Sequence, residues 1–496
     1  MKRIMAVVAL VAMLGIGYWL GQSHGIRKGA NLPSTALTIV GDVATTVWVE
    51  SLQGMQRELE TVTLEKGSIQ AIPLQSLVQL AEPLADKNKV VLRGVDGVAA
   101  ELSQLEGAYI TYSAEHGWHA KNPNHPVSSN IKHLQDIIVV AEGFSWDRGI
   151  NIMTSEENLD NFTVGQLLND ELSLVRIVDG TATVEHEGQR ISSSAVVFKR
   201  MLGLGQLLER VELPEPENLA VMGENGAFVM VDMSMGGYLE VGEHSVNYVV
   251  LGDYSQTVRD VRAMMFNAPE LSIMQTFDDT VRRLENGEKV MIAFLDGLSY
   301  RQYRRAVETG MAPYLQSLPP AEKALSIYQP VTNAGFAAMI TGQPPGVNGV
   351  HSRSQRGLNV PSIFGRAVEL GQKAILVEGN IQILDTEVDP RLNLDQNQQH
   401  GTDDEVFASG LQAIAEQPDL LMVHFHGIDD CGHQFGPLAE QTLQKIQQVD
   451  SYLQALAAEW DGTIIVVADH GMHVEGDGGS HGQARAEDFV VPYIVR

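Results

Sequence analysis

The sequence predicts an α/β protein: a C-terminal, mostly parallel sheet with helices on both faces, preceded by two β-rich repeat modules and an N-terminal apolar helix. Three observations support this fold class. Short apolar runs alternate with amphipathic helical segments from about residue 285 onward. Residues 30–280 contain an internal repeat of short, alternating runs separated by turn residues. The chain begins with an apolar run behind two basic residues.

The N-terminal segment, residues 1–29, predicts export. Lys2 and Arg3 precede an apolar run from Ile4 to Gly21, which is close to the shortest helix that crosses a bilayer. Tyr18 and Trp19 stand where interfacial aromatic residues are common. An uncleaved anchor is the first interpretation and a cleaved signal peptide is the alternative. The first places the protein in the cell membrane, with its catalytic domain outside the cytoplasm, and the second makes it secreted.

Residues 33–150 and 151–282 are predicted to be two copies of one β-rich module. The stretch VDGVAAELSQLEGAYI (95–110) matches ENGAFVMVDMSMGGYL (224–239), and Gly97 and Gly107 have the same spacing as Gly226 and Gly236. The modules resemble the molybdopterin-binding domain of the sulfite-oxidase type, whose metal is held through a cysteine thiolate. No cysteine occurs between residues 30 and 280, so no molybdopterin is expected. Spacing, recognition or assembly is the expected role.

Residues 286–496 are predicted to form the catalytic domain. Its buried-strand candidates are KVMIAFLDG, ALSIYQPVTN, KAILVEGN, LLMVHFHGIDD, TIIVVADHG and FVVPYIV. The clearest helix runs from Leu438 to Trp460, with apolar residues at spacings of three and four. This alternation is typical of a parallel sheet covered on both faces.

Composition limits the function. The chain has 34 Lys and Arg against 62 Asp and Glu, a formal net charge of −28, so no nucleic-acid scaffold is expected as a partner. A small anionic substrate remains open, because bound cations would dominate the local field. With a single cysteine in the chain, any metal site must use histidine and carboxylate ligands.

Chemically capable residues follow several predicted strands. In sheets of this type ligands bind beyond the carboxyl ends of the strands. The residues expected there, with one loop histidine at the end, are Asp296, Thr332, Asp429, His433, Asp469, His470 and His481. Each signal is weak alone, but their combination in this order predicts a site at one edge of the sheet.

The same stretches resemble a known family. FLDG, PVTNAGFAAMITGQPPGVNGVH, GIDDCGHQFGP, VADHGM and GSHG resemble the alkaline phosphatase superfamily, and its type I phosphodiesterase/nucleotide pyrophosphatase branch in particular. The resemblance implies two divalent metal ions, with zinc the first candidate and manganese or iron the alternatives. Thr332 would be the nucleophile and one ligand of the nearer ion, together with Asp296, Asp469 and His470. Asp429, His433 and His481 would hold the other ion.

One departure from the family pattern concerns phosphoryl binding. The branch usually has asparagine three residues after the nucleophile, where this chain has Gly335. Asn333 is therefore the predicted substitute for binding a phosphoryl oxygen. His424 and His426 are interpreted as packed core residues, with a position behind the metal ligands as the alternative for one of them. His473 is interpreted as a surface loop residue that lies near enough to touch substrate.

The leading hypothesis is an exported, metal-dependent phosphoester hydrolase that acts on a small substrate through a phospho-threonine intermediate. A phosphomonoesterase or a phospho-group transferase of the same superfamily is the nearest alternative. A catalytically inert envelope scaffold, in which the tandem modules bind a partner, is the alternative from another class.

Overall fold

The computed structural model describes residues 36–496 except 65–66, 171, 187–188, 252 and 397–400. The predicted N-terminal apolar helix, within residues 1–29, lies outside the described residues. In the part of the chain that is described, no helix is both long enough and apolar enough to cross a membrane. The chain divides into two compact units, residues 1–143 and 144–496.

The first unit contains a mixed sheet and an antiparallel one. The five-stranded sheet has the order β2-β1-β9-β5-β6, in which only β1 and β9 run parallel, and the four-stranded sheet has the order β3-β4-β7-β8. Buried aliphatic side chains of both sheets and of the helix form its core. Its elements are β1 (Leu37–Gly41), β2 (Val47–Val49), β3 (Glu60–Leu64), β4 (Gly67–Pro73), α1 (Leu74–Leu80), β5 (Asn88–Gly94), β6 (Ala99–Leu102), β7 (Tyr109–Ser113), β8 (Gly117–Lys121) and β9 (Leu134–Ala141).

The second unit begins with a module of similar construction. One sheet has the order β11-β10-β19-β14-β15 and the other the order β12-β13-β16-β17-β18. Its elements are β10 (Ile150–Thr154), β11 (Asn158–Phe162), α2 (Val164–Leu168), β12 (Ser173–His186), β13 (Gln189–Gly203), α3 (Leu204–Arg210), β14 (Asn218–Gly223), β15 (Phe228–Asp232), β16 (Tyr238–Val241), β17 (Val246–Val250), β18 (Asp253–Val258) and β19 (Val261–Phe266).

The two modules share the strand order of their mixed five-stranded sheets. In each, the first and last strands pair in parallel at the centre of a five-stranded sheet, as β1 does with β9 and β10 with β19. The glycines that define the sequence repeat also agree: φ is +82° at Gly97 and +73° at Gly226, and +74° at Gly107 and +65° at Gly236. These positive φ angles favour glycine. The duplication of the module stays a prediction. A shared strand order and matching glycine conformations are the features expected of two copies.

The rest of the second unit is a mixed α/β fold built on an eight-stranded sheet. Its elements are β20 (Leu271–Ser272), α4 (Gln275–Glu285), β21 (Val290–Leu295), α5 (Tyr300–Glu308), α6 (Pro313–Ser317), β22 (Glu322–Leu325), α7 (Thr332–Thr341), α8 (Pro345–Asn348), α9 (Ile363–Glu369), β23 (Ala374–Glu378), β24 (Arg391–Leu392), α10 (Asp403–Ala415), β25 (Leu420–Phe425), α11 (Gly427–Phe435), α12 (Glu440–Glu459), β26 (Thr463–Val467), β27 (His473–Glu475), β28 (Gly478–Ser480), α13 (Ala486–Phe489) and β29 (Val490–Val495).

The strand order of the large sheet is β20-β22-β29-β26-β21-β25-β23-β24, and only β29 runs antiparallel to its neighbours. Every residue of β21 and β25 is buried, which explains why these strands read as continuous apolar runs. The helix predicted from Leu438 to Trp460 is α12, which buries Leu443, Ile446 and Leu453.

The second module and the large sheet share part of their hydrophobic core. Met153, Met222 and Met265 of the module lie in one buried cluster with Leu325 and Phe489 of the α/β part. The two parts, predicted as separate domains 151–282 and 286–496, therefore belong to one compact unit. The last turn of α13 takes part directly in this packing.

Replacing Phe489 with alanine should destabilise the second unit by about 3–5 kcal/mol, because a fully buried aromatic side chain leaves a cavity. The measurement is the denaturant midpoint, followed by circular dichroism. Val474→Ala is the control, since Val474 is 59% exposed and should change the midpoint little. Equal midpoints for the two variants would contradict the shared core.

Candidate active site

The centre of the large sheet brings three acidic segments to one edge. Strand β21 lies between β26 and β25 and is parallel to both. Asp296 follows β21 directly, Asp469 lies two residues beyond β26, and Asp429 lies four residues beyond β25, in α11. Because parallel strands end at the same edge, the three carboxylates come together as the sequence predicted.

Thr332 lies at the same site, but it belongs to the start of a helix and not to the end of a strand. It was expected at a strand end, but β22 ends at Leu325 and Thr332 is the first residue of α7. The intervening segment contains Pro330, which has no backbone N–H to continue a strand ladder. The Oγ1 atom of Thr332 lies 3.3 Å from Nε2 of His470. The N-terminus of a helix also favours an anionic group beside this hydroxyl.

Asp429 and His433 are held on one face of a helix. Residues four apart on a helix are neighbours, and Nε2 of His433 lies 3.3 Å from Oδ2 of Asp429. His481 was predicted in a glycine-rich loop, but the preceding residues form the hairpin β27–β28 and His481 follows it directly.

Three carboxylate oxygens at the centre are buried and have no hydrogen-bond partner among the described residues: Oδ1 of Asp296, Oδ1 of Asp429 and Oδ2 of Asp469. Oδ2 of Asp469 lies 3.3 Å from Nε2 of His470, and Oδ1 of Asp296 lies 3.5 Å from the same nitrogen. Burying an anionic oxygen without a partner is costly. A cation placed among these atoms would remove that cost.

The three predicted histidine ligands have one arrangement in common. Nδ1 of His433 bonds to the carbonyl of Gly479 at 2.9 Å, and Nδ1 of His470 to that of Gly471 at 2.9 Å. Nδ1 of His481 bonds to the carbonyl of Pro330 at 3.0 Å. In each case Nδ1–H must donate, so Nε2, which faces the carboxylates, is the nitrogen left to bind a cation. Metal-binding histidines are usually oriented in this way.

Three groups of described side chains have ligand atoms that all lie within 4.8 Å of one another. The group of Asp296, His424 and His426 includes histidines that were not predicted as ligands, and the other two consist of predicted ligands alone. One contains Asp296, Asp469 and His470, and the other contains Asp429, His470 and His481. The first matches the site predicted beside Thr332. In the second, His470 takes the place expected for His433, whose ring centroid lies 5.0 Å from that of His481. Carboxylate oxygens with imidazole nitrogens are a donor set for zinc, manganese or iron.

The electrostatics of the site fit a divalent cation. Burial raises the pKa of Asp469 well above its usual value, and the charge of Asp296 raises it further. Burial acts in the same direction on Asp296, but hydrogen bonds from His424 and His426 hold its pKa well below the usual range. Burial, and then the charge of His470, lower the pKa of His481 to about 2. His481 is therefore neutral and able to act as a ligand.

The interpretation of His424 and His426 as packing residues missed a contact. Both rings are bonded to Oδ2 of Asp296, His424 through Nε2 at 3.3 Å and His426 through Nδ1 at 3.1 Å. His424 is fully buried, stacks on Phe294, and lies 3.5 Å from Oε1 of Glu378. These contacts fix the orientation of Asp296. Their alternation at the end of β25, beside the strand that precedes Asp296, was the available signal.

Asn333 was predicted to bind a phosphoryl oxygen, but its amide has other partners. Nδ2 donates to the carbonyl oxygens of Gln355, at 2.9 Å, and Ile383, at 3.1 Å. The absence of the family's asparagine at Gly335 has a packing reason: a Cβ atom there would lie 2.6 Å from the carbonyl oxygen of Asp469. Neither position therefore offers the free amide that the prediction required.

His473 is not the surface residue that its loop-like sequence indicated. It is 2% exposed, and its Nδ1 lies 2.7 Å from Oδ1 of the fully buried Asp488. The pair connects the first residue of β27 to α13. It therefore fixes the hairpin that precedes His481.

Comparisons with known proteins support the resemblance seen in the motifs. Residues 373–480 match the model of the type I phosphodiesterase / nucleotide pyrophosphatase family. This confirms the resemblance over a stretch that includes Asp429, His433, Asp469 and His470.

Two curated relatives are GPI ethanolamine phosphate transferases. The chain is 41% identical over 63 residues to the catalytic subunit of GPI ethanolamine phosphate transferase 3 from Homo sapiens, which is 12% of this chain and 6% of the relative. It is 34% identical over 80 residues to GPI ethanolamine phosphate transferase 3 from Eremothecium gossypii, which is 16% of this chain and 8% of the relative. The chain thus spans a small fraction of both relatives.

Two solved structures are similar in part. Phosphonoacetate hydrolase from Sinorhizobium meliloti 1021, in complex with phosphonoformate, is 20% identical with a TM-score of 0.32, over 37% of this chain and 56% of that one. Murine ectonucleotide pyrophosphatase / phosphodiesterase 5, in complex with AMP, is 16% identical with a TM-score of 0.32, over 38% of this chain and 57% of that one.

Proposed function

We propose that residues 286–496 form an alkaline-phosphatase-like domain that hydrolyses phosphoester bonds of small substrates with Thr332 as nucleophile. The observation that carries the proposal is the common orientation of His433, His470 and His481, whose Nε2 atoms face three carboxylates that each have one buried oxygen without a partner. The match to a phosphodiesterase family model supports the same reaction class.

The proposed ligands form two sets, one for each cation. Asp296, Asp469 and His470 would hold one divalent cation beside Thr332, and Asp429, His433 and His481 a second. When bound, the two ions would favour the threonine alkoxide and neutralise charge on the phosphoryl oxygens.

The reaction would then proceed in two displacements. Oγ1 of Thr332 would lose its proton to water and attack phosphorus, the bond to the leaving oxygen would break, and the leaving group would take up a proton from water. Water then attacks the phospho-threonine, which releases phosphate or a phosphomonoester and restores the hydroxyl. The amides at the N-terminus of α7, which begins at Thr332, would lie beside the phosphoryl group in both steps.

A transferase of the same superfamily is the second candidate, since both curated relatives are ethanolamine phosphate transferases. It would use the same first step, with an alcohol replacing water in the second. Adding ethanolamine to the assay tests this, because a transferase yields phosphoethanolamine at the expense of free phosphate.

The proposal extends to export: the apolar run at residues 4–21 would serve either as an uncleaved anchor in the cell membrane or as a signal for secretion. The tandem modules are proposed to carry no molybdopterin.

The purified, zinc-replete protein should release p-nitrophenolate from p-nitrophenyl phosphate, from bis-p-nitrophenyl phosphate, or from both. A chelator should abolish this turnover and added zinc should restore it, because the ligand set requires a cation. If neither ester is hydrolysed by the metal-replete protein, the inert scaffold is the better account.

A further inference from the structure

Arg353 lies beside His481, one of the proposed ligands of the second cation. It lies five residues beyond α8, and its Nη2 atom hydrogen-bonds to Nε2 of His481. Nδ1 of His481 already donates to Pro330, so Arg353 is the donor and Nε2 is the acceptor. The guanidinium thus contacts the lone pair that would bind the second cation.

Hydrogen bonds hold the segment that carries Arg353 beside Thr332, the proposed nucleophile. Asn333, which follows Thr332, donates Nδ2 to the carbonyl of Gln355 at 2.9 Å. The side chain of Gln355 in turn accepts a hydrogen bond from the backbone N–H of His351 at 2.6 Å. Arg353 lies between these two anchored residues. The role of Asn333 is therefore to hold this segment, and the phosphoryl contact passes to another residue.

Charge favours Arg353 for that contact. The centre combines three carboxylates with neutral His481, in a chain whose net charge is −28. A guanidinium is always charged and binds phosphoryl oxygens through paired N–H groups.

The lone pair on Nε2 of His481 can bind a cation or accept a hydrogen bond from Arg353, but it cannot do both at once. A cation at Nε2 of His481 excludes the guanidinium, so Arg353 and the cation compete for this atom. Arg353 is exposed, and its side chain is free to turn toward an anion bound at the centre. The nearest anion in the reaction is the phosphoryl group of the substrate.

We propose that Arg353 binds a non-bridging phosphoryl oxygen of the substrate and selects phosphoryl groups with two negative charges, as in phosphomonoesters, over singly charged diesters. The inference rests on the proposed function and makes it more specific. It also supplies the donor that Gly335 and Asn333 do not provide.

The test compares Arg353→Gln, which removes the charge, with Arg353→Lys, which keeps it, and with Arg356→Gln as the matched control. Arg356 is exposed on the same segment. For Arg353→Gln, kcat/KM for p-nitrophenyl phosphate should fall about 10- to 100-fold, the size expected for a lost charge-assisted hydrogen bond. The value for bis-p-nitrophenyl phosphate should fall by a few-fold at most. Arg353→Lys should lie between the wild type and Arg353→Gln, and Arg356→Gln should match the wild type.

Two binding measurements make the test independent of turnover. Zinc titrated into metal-free protein should bind the weaker site several-fold more tightly in Arg353→Gln, because a competing cation has been removed. Inorganic phosphate should bind the zinc-loaded variant more weakly than the wild type. A variant that is only misfolded would bind zinc less tightly than the wild type. The expected result for Arg353→Gln is tighter zinc binding, so the two explanations predict changes of opposite sign.

Equal losses on both esters, or weaker zinc binding by Arg353→Gln, would overturn the assignment of Arg353. A wild type that hydrolyses neither ester would instead remove the proposed function. The zinc and phosphate titrations still decide the role of Arg353 in that case.

Discussion

Replacing Thr332 with alanine should reduce turnover of either nitrophenyl ester by about 10³-fold or more, with zinc content unchanged. The variant lacks the oxygen that forms the bond to phosphorus, and water at the centre would have to attack directly. The loss should appear mainly in kcat, because the cation sites and the N-terminus of α7 still bind the ester. Steady-state rates and elemental analysis of the same sample measure both quantities.

Thr332→Ser is the control for this prediction, because serine keeps the hydroxyl at the start of the helix and should retain a substantial part of the rate. Trapping labelled phosphate on the protein by acid quench should succeed for the wild type and the serine variant only. An alanine variant within a few-fold of the wild-type rate would exclude Thr332 as the nucleophile.

The second large effect concerns metal content. Asp469→Asn should lower zinc stoichiometry from two to about one, because an amide is a poor substitute for a fully buried carboxylate ligand. His433→Ala should also leave about one ion, held by the opposite group of ligands. Both variants should lose nearly all turnover, since the proposed reaction uses both cations. Elemental analysis after gel filtration gives the stoichiometry.

The effect of zinc removal on Tm tests the same ligand assignment through the stability of the protein. Removing zinc from the wild type should lower Tm, because a ligand present at 1,000 times its Kd stabilises the folded state by about 4 kcal/mol. The decrease should be smaller in Asp469→Asn, which has one ion to lose and one fewer buried negative charge. Two bound ions in both variants would show that the ligand assignment is wrong.

Much of the site could be predicted because its positions follow from the sheet. Strands β21, β25 and β26 are buried on both faces, so their apolar runs are unambiguous in sequence, and each is followed closely by an acidic residue. A parallel sheet collects such residues at one edge whatever the sequence between them. This is why Asp296, Asp429 and Asp469 could be grouped although they are far apart in the chain.

What could not be predicted depends on contacts between elements that sequence periodicity does not report. Thr332 begins a helix, because the segment before it leaves the sheet at Leu325. The burial of His473 depends on Asp488, fifteen residues later. Asn333 has the right residue type for the predicted role, but loop carbonyls bind its amide.

The core shared by the second module and the α/β part has a consequence for how this protein evolves. Phe489 packs with methionines of the module, and the adjacent Asp488 bonds to His473 at the base of the hairpin that leads to His481. A change of side-chain volume in the module can therefore shift the imidazole of His481, a proposed metal ligand, without replacing any of the proposed ligands. Selection on activity is expected to constrain the inner face of the module, while its outer face is free to vary.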